Sequence, residues 1–223
     1  MSRFILMLTR HDRTVPDALA VYRGLRGTKL RHVGFKDVGL PFEALAELAA
    51  AIRADGRRSM LEVVATTPAA ELASIEAAAR LGVDYVLGGR HVAEAVRVLR
   101  GRAVRYFPFA GETAGHPTRL PGTAEAIVED ARALAATPGV HGLDLLAYRS
   151  DVDAAALARA VVDAVPLPVI AAGSLDRPAR VEAMRRAGAW GFTVGTALFE
   201  RRFPGDGIAG QAAALLAADG VQP

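Results

Sequence analysis

Short apolar runs alternate with longer stretches of helical periodicity along the whole chain. The runs are apolar at odd and even positions alike, which is typical of strands that are buried on both faces. Strict alternation of strand and helix predicts a parallel sheet, and eight strand–helix units are the number that closes a barrel. We therefore predict an α/β protein, a (β/α)8 TIM barrel, with residues 1–223 forming a single domain.

The apolar runs and the helical stretches give bounds for the predicted elements. The helical pattern is clearest at Phe42–Ala54, Thr123–Ala136 and Ala154–Ala164, with a short helical turn at Thr196–Arg201. No strand is followed by GxGxxG or GxxxxGK[ST], so the nucleotide-binding signatures of open sheets are absent. Further helices are predicted at Pro16–Leu25, from Pro68, up to Leu99 and at Gln211–Ala218, and the predicted strands are Phe4–Leu8, His32–Phe35, Met60–Ala65, Tyr85–Leu87, Ala103–Phe107, Gly142–Ala147, Pro168–Ala172 and Gly191–Val194.

The composition of the chain limits the possible size of the core, the possible partners and the possible kinds of site. With 223 residues and 52% hydrophobic residues, the chain can fill one barrel-sized core. The net charge of +3 is spread along the chain, which argues against nucleic acid as a partner. The chain has no cysteine, and its histidines lack metal-ligand spacing, so we expect no metal and no cofactor. The apolar run near the N-terminus is too short for a signal peptide or a membrane span, so we expect a cytoplasmic protein without a membrane partner, and a homo-oligomer stays open.

Two neighbouring predicted strands end in glycine followed by a small hydroxyl residue. The pairs are Gly173-Ser174 and Gly195-Thr196. Glycine lets backbone N–H groups approach an anion closely, and the hydroxyl groups add donors. In a (β/α)8 barrel the phosphate site commonly lies in the loops after strands seven and eight. We predict that these four residues bind the phosphate of a substrate, although ordinary tight turns also favour glycine and serine.

The segment that contains these turns, PVIAAGSLDRPARVEAMRRAGAWGFTVGTALFE, resembles the end of the ribulose-phosphate-binding barrels. That superfamily includes the histidine and tryptophan pathway isomerases, the N-acetylmannosamine-6-phosphate epimerases and thiamine-phosphate synthase. The resemblance implies the barrel fold and phosphate binding. It does not imply one reaction, because the superfamily hosts many chemistries.

Lys36 is the strongest candidate for chemistry. Only two of the 27 Lys and Arg residues are lysines, Lys29 and Lys36. Lys36 ends a buried strand and shares strand parity with Gly34, which allows it to face the barrel mouth. A lysine can lose its proton when desolvated and an arginine cannot, so Lys36 is predicted to act as a nucleophile or base. The alternative is a structural ammonium paired with Glu62 or Asp12.

Two further resemblances bear on Lys36. GFKDVGLP resembles the strand-two lysine region of (5-formylfuran-3-yl)methyl phosphate synthase, which joins triose phosphates by a lysine-dependent reaction. That resemblance implies Lys36 as the catalytic lysine with Asp37 beside it, while strand six offers Asp144 and no lysine. VRYFPFAG is similar to a strand of 2-keto-3-deoxy-phosphogluconate aldolase, but the position of the imine-forming lysine is Arg105 here, which cannot form an imine.

Other polar and glycine positions fall at predicted strand ends, where barrel enzymes bind substrate. The long loop Pro108–Gly122 contains His116, which is predicted to act as a general acid or base or else only to shape a turn, and the loop is expected to cover the barrel mouth. The remaining predicted substrate-binding residues are Thr9, Gly88, Gly89, Tyr148 and Arg149.

Three functions are compatible with these observations. The first is a lyase or aldolase-type enzyme on a small phosphorylated sugar or triose, with Lys36 as nucleophile or base. The second is a cofactor-free isomerase or epimerase that transfers protons through Lys36, Asp12, Glu62 or His116. The third is a barrel that binds a phosphorylated metabolite without catalysis.

Overall fold

The computed structural model describes residues 2–218 and confirms the α/β barrel. Eight parallel strands form the barrel, and every predicted strand overlaps an observed one. The strands are β1 (Arg3–Met7), β2 (His32–Lys36), β3 (Arg58–Val63), β4 (Tyr85–Gly88), β5 (Arg105–Phe107), β6 (Leu143–Leu145), β7 (Val169–Ala171) and β8 (Gly191–Val194).

Hydrogen bonding runs almost all the way around the barrel. The strands are neighbours in the order β5-β4-β3-β2-β1-β8-β7-β6. The remaining gap, between β5 and β6, is closed by backbone bonds just beyond the strand ends: His141 N–H donates to Tyr106 O and Asp144 N–H to Pro108 O, each at 2.9 Å. Since closure leaves no free sheet edge, the carboxyl ends of all eight strands meet at one mouth.

The helices surround the barrel, and the first and last helices differ from the predicted bounds. The first helix is shorter than predicted, and the last begins earlier, at Gly207 instead of Gln211. Within residues 2–218 no helix combines the length and apolar character needed to cross a membrane. The α-helices are α1 (Ala18–Arg23), α2 (Phe42–Ala54), α3 (Pro68–Leu81), α4 (Val92–Leu99), α5 (Ala124–Ala135), α6 (Ala154–Ala164), α7 (Pro178–Arg186), α8 (Thr196–Phe199) and α9 (Gly207–Ala217), with a 3-10 helix at Ala147–Arg149.

A small antiparallel hairpin follows β1 and was not predicted. Thr9–Arg10 pairs with Arg13–Thr14, and the two residues of the turn, His11 and Asp12, have φ angles of 49° and 60°. Two-residue hairpin turns favour positive φ at both central positions, usually with asparagine and glycine. Because the sequence here is His-Asp, the turn signal was absent, and the hairpin is set by contacts with the barrel.

The barrel interior has an apolar floor and a charged upper level. Trp190 packs against the apolar residues from below. Lys36 and Glu62 project inward near the mouth, and Asp144 does the same, since its strand neighbours belong to the outer core. The floor consists of Ile5, Met7, Met60, Tyr85, Leu87, Phe107 and Ile170.

The hydroxyl group of Thr14 fixes the hairpin to β2, and its loss should destabilise the fold. Thr14 Oγ1 accepts from Lys36 N–H and donates to Lys36 O, both at 2.8 Å, in a buried position. Thr14→Val keeps the shape but leaves both backbone groups without partners. We expect the free energy of unfolding to fall by about 2 kcal/mol in urea denaturation. Thr14→Ser keeps the hydroxyl and serves as the control, and equal stability of the Val variant and the wild type would contradict this role.

Candidate active site

A cavity of about 630 Å³ opens at the carboxyl end of the barrel and gathers most of the predicted site residues. Its floor and walls are formed by strand ends, by the β1 hairpin and by the loops after β5, β6, β7 and β8. The predicted residues that line it are Thr9, Asp12, Lys36, Glu62, Tyr148, Arg149, Gly173, Ser174, Gly195 and Thr196.

Lys36 lies on the cavity wall between two carboxylates. Its Nζ atom is 2.8 Å from Asp12 Oδ1 and 3.4 Å from Glu62 Oε2. β2 and β3 place Lys36 directly beside Glu62 in register, and Lys36 is only 3% exposed. On the inner face of the same strand, Gly34 leaves the space that Met7 Sδ occupies, since an added Cβ would come within 2.2 Å of the sulfur.

Asp12 connects Lys36 to Arg149. The Arg149 guanidinium grips both Asp12 oxygens, with Nη2 at 2.7 Å from Oδ1 and Nη1 on Oδ2. Burial by itself would raise the pKa of Asp12, but the hydrogen bonds and charges of Arg149 and Lys36 hold it well below its usual range. Asp12 therefore stays ionised, and a carboxylate of such low basicity is a poor proton acceptor.

Asp144 is a buried carboxyl group that the sequence did not single out as a site residue. It is 0% exposed, and neither side-chain oxygen has a hydrogen-bond partner among the described residues. Burial and the neighbouring charge of Glu62 raise its pKa well above its ordinary value, against the opposing charges of Lys36 and Arg149. Since Lys36 and Arg149 already balance Asp12 and Glu62, the surroundings of Asp144 favour its protonated, uncharged form.

The two glycine–hydroxyl turns present free backbone donors to the cavity. Among residues 2–218, no group accepts a hydrogen bond from the amide N–H of Ser174, Leu175, Thr196 or Ala197. Ser174 has a φ angle of 56°, unusual for a residue with a side chain. Unpaired amides at the wall of a cavity are suited to an anion, because a backbone N–H left without an acceptor is costly.

The hairpin turn lies directly against the second of these turns. His11 N–H donates to Thr196 Oγ1 at 3.0 Å. At Gly195 an added Cβ would come within 2.5 Å of Thr9 Oγ1, so only glycine permits this close approach. The glycine–hydroxyl turn after β8 and the carboxylate that pairs with Lys36 are thus parts of one contact network.

Three of the predicted site residues lie outside the cavity lining. An added Cβ at Gly88 would meet Val63 O and the Phe109 ring, and one at Gly89 would meet the Glu71 carboxylate, so these glycines serve packing. His116 is exposed on the β5 loop. For these three residues, contact with the substrate remains a prediction.

Asp37, the neighbour of Lys36, also points away from the cavity. Its carboxylate accepts from Val64 N–H at 3.1 Å, across the end of β3. Burial raises the pKa of Asp37, against the hydrogen bonds that stabilise its ionised form. Strand parity accounts for this direction, since Asp37 follows the inward-facing Lys36.

The long loop after β5 reaches the cavity from one side. Pro117, Thr118 and Arg119 are among the lining residues, and the loop is fixed by Leu120 N–H donating to Arg149 O at 3.0 Å. Part of the loop thus lies at the mouth, and that the loop covers the mouth stays a prediction. No group of three or more His, Asp or Glu side chains within residues 2–218 is arranged to hold a metal ion.

Comparisons with known proteins bear on the fold. No family model matches the sequence, and no curated protein matches it. Similar solved structures include a cube-shaped, highly porous protein cage designed by fusing symmetric oligomeric domains, with 18% identity, a TM-score of 0.67 and coverage of 97% of this chain and 72% of that one. Orotidine 5′-phosphate decarboxylase from Pyrococcus horikoshii OT3 has 13% identity, a TM-score of 0.64 and 99% coverage of both chains.

FabK from Thermotoga maritima is a further similar structure. It has 16% identity and a TM-score of 0.61, over 88% of this chain and 59% of that one. At such identities the likeness shows the barrel fold alone. Function has to be argued from the cavity itself.

The raised pKa of Asp144 predicts a pH-dependent cost to stability. The unfolded state loses this proton near pH 4 while the folded state retains it, so rising pH favours unfolding until the folded pKa is reached. Asparagine cannot ionise and avoids this loss. We expect Asp144→Asn to gain stability over the wild type by about 1.4 kcal/mol per pH unit above pH 4, levelling off at the folded pKa.

Urea denaturation from pH 4 to 9 measures this difference. Asp151→Asn, which removes an exposed carboxylate, is the matched control. A stability difference for Asp144→Asn that does not change with pH would show that Asp144 is ionised as an ordinary aspartate.

Proposed function

We propose that this protein is an enzyme that acts on a small phosphorylated metabolite by proton transfer at a carbon next to a carbonyl group. This step is common to aldol-type lyases and to sugar-phosphate isomerases. The observation that carries the proposal is that one cavity holds both the unpaired amides of two glycine–hydroxyl turns and a buried lysine between two carboxylates.

The phosphate half of the proposal rests on donors without acceptors. Ser174, Leu175, Thr196 and Ala197 line one cavity, and their amides have no acceptor among residues 2–218. The hydroxyl of Thr196 accepts from His11 and so keeps its own hydrogen free to donate. A phosphate dianion accepts several such bonds at once. Orotidine 5′-phosphate decarboxylase, which shares the fold, is named for a phosphorylated substrate. Together with the sequence resemblance, this supports a place among the ribulose-phosphate-binding barrels.

The chemical half of the proposal rests on Lys36. Its Nζ atom contacts the carboxylates of Asp12 and Glu62 at 2.8 and 3.4 Å, and formation of an imine would break both ion pairs. A buried ammonium is well suited to donate a hydrogen bond to a substrate carbonyl oxygen and to stabilise the negative charge that develops there. We therefore favour Lys36 as acid and electrostatic catalyst over Lys36 as nucleophile.

Glu62 is the better candidate for the base. Asp12 is held ionised by two cations and is only weakly basic, but Glu62 has Lys36 as its one ion-pair partner among residues 2–218 and lines the cavity. In the proposed step, Glu62 removes the proton from carbon while the Lys36 ammonium stabilises the resulting enolate oxygen. The raised pKa of Asp144, next to this pair, favours its uncharged form, which adds no third negative charge to the cluster.

The proposed phosphate site predicts the effect of filling Gly195. In Gly195→Val the new side chain meets Thr9 and displaces the amides from an anion. We expect binding of inorganic phosphate, measured by calorimetry, to weaken by about 1 kcal/mol or more. Gly27→Val is the control, because an added Cβ there meets nothing within 4 Å. Unchanged affinity in a folded Gly195→Val variant would count against this site.

The role of Lys36 predicts the behaviour of a charge-preserving variant. Arginine keeps the positive charge but cannot give up a proton. In deuterated water, NMR with a panel of phosphorylated aldoses and ketoses should show deuterium uptake at the carbon next to the carbonyl. We expect Lys36→Arg to slow this uptake by about 100-fold or more. Lys29→Arg, at the other lysine of the chain, should be unaffected.

Borohydride treatment in the presence of the reactive sugar phosphate separates the two roles of Lys36. We expect no covalent adduct. A trapped adduct on Lys36 would show an imine and return the assignment to a nucleophilic lyase. Phosphate binding without any deuterium uptake across the panel would instead favour a barrel that binds without catalysis.

A further inference from the structure

Arg149 lies where the phosphate turns, the hairpin and the β5 loop meet. Its side chain packs on Gly173, where an added Cβ would come within 2.7 Å of Nε and 2.8 Å of Cδ. Its guanidinium holds the carboxylate of Asp12, and its Nη1 donates to Thr118 O at 3.1 Å. One side chain therefore contacts the first phosphate turn and the partner of Lys36.

Two N–H groups of the Arg149 guanidinium have no acceptor among the described residues. Arginine carries five N–H groups in a fixed fork. Nη1 uses two, on Asp12 and Thr118, and Nη2 uses one, on Asp12. The Nε–H and one N–H of Nη2 have no acceptor among residues 2–218, and Arg149 lines the cavity. These two groups form the side-on edge of the guanidinium, which matches two oxygens of a phosphate.

We propose that Arg149 couples the phosphate site to Lys36. The proposal rests on the function proposed above and deepens it. The side-on edge of Arg149 binds two oxygens of the substrate phosphate, next to Gly173, while the other edge keeps Asp12 in place against the Lys36 ammonium. A phosphate dianion bound to Arg149 is stabilised by the same positive charge that stabilises the Asp12 carboxylate. Binding of the phosphate therefore changes the electrostatic potential that Arg149 and Asp12 produce at the Lys36 ammonium.

This arrangement makes the phosphate part of the chemistry as well as a handle for binding. A substrate without phosphate would make no hydrogen bonds to the side-on edge of Arg149. The electrostatic interaction between Asp12 and Lys36 would then stay as it is in the free protein. The substrate class that fits is a phosphate monoester, whose two charges and three terminal oxygens can satisfy both the turn amides and the guanidinium edge.

The presence of only two lysines makes the coupling directly measurable. With lysine labelled by 13C and 15N, NMR gives one set of side-chain signals for buried Lys36 and one for exposed Lys29. The probe is inorganic phosphate, titrated into the full chain. We expect the Lys36 signals to shift with the same half-saturation as phosphate binding in calorimetry, while the Lys29 signals stay constant and serve as the internal control.

Two variants separate the two edges of Arg149. Arg149→Lys keeps a cation but loses the fork, so phosphate affinity measured by calorimetry should fall about tenfold or more. Asp12→Asn keeps the side-on edge of Arg149 but neutralises the link, so phosphate should still bind with an affinity within a fewfold of the wild type while the Lys36 signals no longer respond.

The outcomes are distinguishable from failure of the proposed function. If the wild type does not bind inorganic phosphate at all, the phosphate site itself is wrong. If phosphate binds and Arg149→Lys binds it equally well, Arg149 is not a phosphate ligand. If the Lys36 signals ignore phosphate in the wild type, or respond to it unchanged in Asp12→Asn, the coupling is wrong. The Asp12→Asn result decides the matter even if Arg149→Lys does not fold.

Discussion

The two-oxygen contact between Arg149 and Asp12 is the interaction on which the rest of the cavity depends. The residues are 137 positions apart, one on the hairpin after β1 and the other on the 3-10 helix after β6. The contact fixes the hairpin turn, whose residues have positive φ angles, and it sets Asp12 against Lys36. Without it, Asp12 and Glu62 would share the charge of Lys36 alone. Removing one partner of a buried pair is strongly destabilising for this reason.

Such a cluster is an expensive way to fill a barrel. Taking ions out of water costs several kcal/mol each, and apolar side chains of similar size are often as stabilising or more so. The lower half of this barrel follows that rule, with an apolar floor closed by Trp190. The charges are confined to the level that borders the cavity. Their position at the mouth is the arrangement expected where chemistry, and not stability, determines the residue.

Much of the fold and part of the site could be predicted from local patterns. Apolar runs buried on both faces have a simple signature, and strand parity was enough to place Lys36 on the cavity wall. The hairpin has no local signal, because tertiary contacts of Thr14 and Asp12 impose it on a His-Asp turn. Gly88 and Gly89 look like ligand-binding glycines in sequence, yet the Phe109 ring and Glu71 fill the space beside them. The pairing of Arg149 with Asp12 joins distant segments, so no local pattern contains it.

The three carboxyl groups of the cluster show how surroundings assign different properties to one chemical group. Asp12 has two cationic partners and is held ionised at low basicity. Asp144 is fully buried without a hydrogen-bond partner among residues 2–218, and burial raises its pKa. Glu62 touches Lys36 at 3.4 Å and faces the cavity, so among the three it alone combines access to a ligand with a single ion-pair contact. This division follows from the number and charge of the neighbours, and it is why we propose Glu62, rather than either aspartate, as the carboxylate that takes a proton from a bound substrate.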